Sequence, residues 1–80
     1  MRWTRSKATD LAAALDRGAA DKLVGAADGD SRASDPSNDA LTRRQTAAAA
    51  RILRGQARDM RADAAAIRDG VNPSELGYID

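Results

Sequence analysis

The chain has 80 residues, 13 of them Lys or Arg and 12 Asp or Glu, for a formal net charge of +1. That length allows one small domain, and the near balance of charge argues against a general polyanion binder. Histidine and cysteine are both absent, which removes disulfides, the usual zinc ligand sets and the commonest acid–base and nucleophilic groups.

The composition also thins the core. Trp3 and Tyr78 are the only aromatics, and both lie near the ends of the chain. Alanine supplies most of the apolar positions, with Leu11, Leu15, Leu23, Val24, Leu41, Ile52, Leu53, Met60 and Ile67 as the larger groups. Such a core buries little area against a backbone ordering cost of about 1–2 kcal/mol per residue. Association with a protein partner or a second copy is therefore expected.

Residues 1–7 read as a basic arm, with Trp3 flanked by Arg2 and Arg5. A tryptophan beside arginines suits an interface anchor, and equally a ring folded back to enlarge the core. The arm lacks the apolar stretch of a secretory signal, and no run is long enough to span a membrane, so no membrane partner and a cytoplasmic location are expected.

Residues 8–27 place Ala8, Leu11, Ala12, Leu15, Ala19, Leu23 and Ala26 at steps of three and four, the signature of one helical face. Thr4 or Ser6 can cap its start. Gly18 and Gly25 interrupt it, each at a cost of about 1 kcal/mol relative to alanine, so a bend or a division of the helix near Gly18 is the expectation. Asp10, Asp21 and Asp28 line one flank.

Residues 28–35, Asp-Gly-Asp-Ser-Arg-Ala-Ser-Asp, have turn chemistry and no periodicity and read as a loop. Arg32 and Ala33 stand where a calcium loop wants an oxygen ligand and a glycine, so that motif is not assigned. Asp35 before Pro36 reads as a helix cap with proline at the first position, with Ser37 or Asn38 as alternative caps. The second helix is then expected over 36–69, with Gly70 as its C-terminal cap and a seam of Ala49, Leu53, Ala57, Met60, Ala64 and Ile67. Gly55 is the one place where it is expected to break, if at all. Within this helix Asp59 and Asp63 are too few carboxylates for a cation site.

The tail, 70–80, contains Asn72-Pro73-Ser74-Glu75, the pattern of a cap and first-turn proline, followed by the apolar cluster Leu76, Tyr78 and Ile79. The expected fold is all-α. It is a two-helix antiparallel hairpin with a longer second helix, about 50 Å against about 30 Å, and a protruding end that needs covering.

Arg43, Arg44, Arg51, Arg54, Arg58, Arg61 and Arg68 share one side of the second helix. The stripe suits a solvated face partly satisfied by the aspartate flank, an acidic protein partner, or phosphate. Near-neutral charge and the lack of interleaved aromatics place nucleic acid behind protein. Candidate partner-binding residues are Trp3, Arg51, Arg54, Arg58, Arg61, Arg68, Leu76, Tyr78 and Ile79. No catalytic, cofactor-binding or metal-binding residue is assigned, and no small-molecule substrate is expected.

The opening Met1-Arg2-Trp3-Thr4-Arg5-Ser6-Lys7, followed by Ala-, Asp- and Arg-rich helices, resembles small proteins of phages infecting high-GC actinobacteria. The resemblance implies a minor virion or head-associated component, with a virion location. The sequence thus points to a non-catalytic structural or adaptor subunit. A small nucleic-acid-binding regulator using the arginine stripe, or a small inhibitor of a host protein, are the alternatives.

Overall fold

The computed structural model describes residues 2–80, so Met1 of the expected arm lies outside the described residues. Two α-helices, α1 (Arg5–Ser34) and α2 (Ala40–Arg68), pack antiparallel along their whole length, and a short 3₁₀ turn, Pro73–Leu76, follows. The all-α hairpin expected from the pattern is the observed fold. The expected inequality of the helices is not: α1 has 30 residues and α2 has 29. Neither helix projects uncovered beyond the other.

The difference lies in where the chain turns. Thr4 caps α1 by accepting the Lys7 N–H at 3.1 Å, so the last three residues of the supposed arm, Arg5, Ser6 and Lys7, are helix. At the other end the supposed 28–35 loop stays helical to Ser34. Its Asp, Gly and Ser residues have poor helix propensity, but tertiary packing overrides it. Asp30 pairs with Arg54, Asp28 with Arg32, and Gly29 lies flat against Ala50.

The real connection is Asp35–Asp39. Asp35 accepts from the Ser37 N–H at 2.9 Å and the Ser37 hydroxyl at 2.8 Å, bonds that hold its carboxyl below the usual value. The Asn38 amide donates to the Arg32 carbonyl, 3.0 Å away, and so satisfies the exposed end of α1. Asp39, not Asp35, caps α2: it accepts the Thr42 N–H at 2.7 Å, and Pro36 sits in the turn instead of at the first helical position. Gly70, at φ +107°, then ends α2, with the Gly70 N–H on the Ile67 carbonyl and the Val71 N–H on the Ala66 carbonyl.

Ala12, Ala19 and Ala26 on α1 face Ala50, Ala57 and Ala64 on α2, and each of the six is at most 1 % exposed. Both sets step by seven residues, the repeat of a two-stranded coiled coil, and side chains this small let the backbones come close. Ala50 occupies the seam where Ala49 was expected; Ala49 is exposed, because the strict seven-residue step from Ala64 and Ala57 leads to Ala50. Leu15 and Ile67 fill the intervening layers together with the half-buried Leu53 and Met60.

α1 does not divide at Gly18 or Gly25 but runs as one helix through both. A Cβ at Gly18 would collide with the Met60 methyl, and one at Gly25 would lie 3.1 Å from a Leu53 methyl. These glycines make room for the two largest seam residues of α2. Nor does α2 break at Gly55, which runs through the helix with open space around it. The product is a rod of 51 × 18 × 17 Å with a radius of gyration of 16.3 Å, against about 12 Å for a compact globule of this length.

Candidate interaction surfaces

Three of the predicted contact residues meet at the end of the rod where the chain begins and the tail folds back. The Trp3 indole N–H donates to the Tyr78 carbonyl at 3.3 Å, and the Lys7 ammonium pairs with the Asp80 carboxylate at 3.1 Å. The Tyr78 hydroxyl donates to the Asp63 carboxylate of α2 at 2.6 Å. That acceptor, with a smaller contribution from burial, pushes the Tyr78 hydroxyl up to about 12. Leu76 and Tyr78 pack on the cluster of Ala8, Leu15, Ala64 and Ile67, and Pro73 is fully buried beneath them.

The tail is therefore a lid over the hairpin end, and Trp3 is the strap that holds it. Ile79 differs from its neighbours in being 94 % exposed. Between arm and tail lies an open crevice of about 520 Å³ lined by Arg2, Trp3, Asn72, Tyr78 and Ile79.

The arginine stripe divides in two. Arg54 pairs with Asp30, and Arg68 pairs with Asp16 at 2.6 Å. The two bridges lie fourteen residues apart on each helix, so the same register sets Arg61 opposite Leu23, which offers it no carboxylate. Pairs as exposed as these contribute about 0–1 kcal/mol each and act mainly on register. Asp16 and Asp30 replace the expected flank of Asp10, Asp21 and Asp28; of those three, Asp28 pairs with Arg32 in its own helix. Both pairing carboxylates were legible in retrospect, since their fourteen-residue spacing matches that of Arg54 and Arg68.

Of the four remaining arginines, Arg44, Arg51 and Arg58 recur every seven residues on the outer shoulder of the same side, Arg43 lies in the first turn of α2, and all four are exposed. Across the seam, the matching shoulder of α1 is Ala13, Ala20 and Ala27. The opposite broad side has another character. It carries Gly18, Gly25, Asp21 and Asp28 from α1, with Arg32 bridged to Asp28, and Ile52, Asp59 and Asp63 from α2, which follows from a turn of about 100° per residue around the seam. Ile52 is 61 % exposed there. The rod thus has one broad side dominated by arginine and one dominated by aspartate. Neither Ile52 nor the division into faces was singled out from the sequence, because the face of each residue depends on the observed seam.

Among the described residues no polar or charged side chain is buried, and no three acidic, histidine or cysteine side chains cluster as metal ligands. No helix among them is long and apolar enough to cross a membrane. No family model matches the chain, and no curated protein and no solved structure matches it either.

Proposed function

We propose that the chain is a non-catalytic structural or adaptor subunit of a larger protein assembly. The observation that carries this reading is the exposed, seven-residue-spaced row Arg44, Arg51 and Arg58, which has no ion-pair partner among the described residues. Guanidinium groups in a row on one unbroken helix match a carboxylate-bearing helix or sheet edge of similar length. Ile52, Val24 and Ile79 are exposed elsewhere on the rod, on its other broad side, its outer edge and its tail, and give further neighbours apolar anchors.

Protein is preferred over nucleic acid for two reasons. The aspartate side of the same rod opposes a polyanion, and both aromatic rings are engaged in the terminal clasp, away from the arginines. The resemblance to small actinobacteriophage proteins supports a place in a virion, with this rod lying against a capsid, portal or neighbouring subunit.

The test is a photo-crosslinking residue at position 58, placed in the full chain and irradiated in the organism that encodes it. The expected adduct is destroyed by protease and insensitive to nuclease. An adduct formed only with nucleic acid contradicts the reading and favours a nucleic-acid-binding regulator.

A further inference from the structure

We infer that the protein to which the arginine side binds is another copy of this chain, received on its aspartate side. The inference rests on the assembly reading above and names its partner. Arg44, Arg51 and Arg58 recur every seven residues on α2, and Asp21 and Asp28 are seven apart on α1; Asp28 also meets Arg32 one turn on, in an exposed and therefore weak pair that leaves its carboxylate room for a second guanidinium. The two rows therefore share one repeat of about 10 Å along the rod. Within a molecule they cannot meet, because they lie on opposite broad sides of the seam.

Between molecules they can. A second rod, turned half-way about the axis perpendicular to its broad side, lays its α1 against the α2 of the first. The arginine row of one copy then runs over the Asp21–Asp28 row of the other. The same turn sets the exposed Ile52 of the second copy over the shallow Ala20 and Ala27 shoulder of the first, so the protruding apolar group meets the small residues. A broad side measuring 51 by 18 Å offers at most roughly 900 Å², and a standard interface uses about 800 Å² per partner. Each copy keeps its other side free, so the contact is heterologous and repeats.

Complementary charge reversal tests this. One variant carries Arg51→Glu and Arg58→Glu, the other Asp21→Lys and Asp28→Lys; all four positions are exposed, and circular dichroism checks that helicity is kept. Wild-type chain at low ionic strength is expected to sediment at twice its mass or more and to return to monomer in high salt. Each variant alone is expected to be monomeric. Their equimolar mixture is expected to associate again, because it restores the native pairing between the unaltered arginine side of one and the unaltered aspartate side of the other. A wild-type chain that stays monomeric at low salt, or a mixture that stays monomeric, overturns the inference. If the crosslink at position 58 still joins a different protein, the assembly reading survives that failure.

Discussion

Tyr78 shows how one side chain holds the terminal clasp. Its hydroxyl is a donor to Asp63, so the bond exists only while the phenol is protonated, and the folded chain holds that proton more tightly than an ordinary tyrosine near 10. A raised folded value means that this stabilisation is complete below about pH 10 and lost as the pH climbs through about 12. Ultraviolet titration of the sole tyrosine is expected to give an apparent value near 12, and Asp63→Asn to bring it back towards 10; an ordinary value in the wild type contradicts the clasp. Trp3, the only tryptophan, reports on the same event through its bond to the Tyr78 carbonyl. The sequence left two roles open for Trp3, Leu76 and Tyr78, anchor or cover, because both depend on where the tail runs. Contacts separated by up to 75 residues decide it.

At the scale of the helices, glycine has opposite meanings at two positions that look alike in sequence. Gly29 and Gly55 are both interior to helices, where alanine is favoured by roughly 0.5–1 kcal/mol. A Cβ at Gly55 meets nothing within 4 Å, so Gly55→Ala is expected to stabilise by about that amount. A Cβ at Gly29 would lie 3.0 Å from the Thr46 carbonyl oxygen and 3.2 Å from the Ala50 Cβ. Backbone cannot rotate away as the Met60 methyl can beside Gly18. Gly29→Ala is therefore expected to force the helices apart and to destabilise by about 1–3 kcal/mol despite its better propensity. Thermal unfolding of the two variants decides the matter, and equal shifts in the same direction contradict close helix approach. The helical pattern, the antiparallel pairing, Gly70 as cap and the turn at Pro73 were legible because each rests on local periodicity or cap chemistry. The end of α1 was not. Asp28, Gly29, Asp30 and Ser31 read locally as a turn, and only their partners on α2, Ala50 and Arg54, turn them into helix. With that extension the reason for expecting an uncovered second helix disappears.

For the whole molecule, the consequence of a full-length seam is a rod whose sides are fixed in relation to each other. Any exposed residue on either helix belongs to the arginine side, the aspartate side or an outer edge, and a net charge of only +1 conceals two sides of opposite character. A stripe of arginine on one helix thus says less about affinity for polyanions than about which side of a neighbour the rod meets. Association of this kind weakens with salt, and it grows past a dimer because each copy uses two different surfaces. The chain contains no cysteine, which allows a direct measurement. Ala20 and Ile52 lie on opposite sides of one molecule, so in the variant carrying Ala20→Cys and Ile52→Cys a disulfide between them joins only separate copies. Under mild oxidation at low ionic strength, denaturing electrophoresis is expected to show a ladder of covalent oligomers that salt abolishes. A variant that stays monomeric under those conditions, or one that crosslinks equally in high salt, would contradict the account.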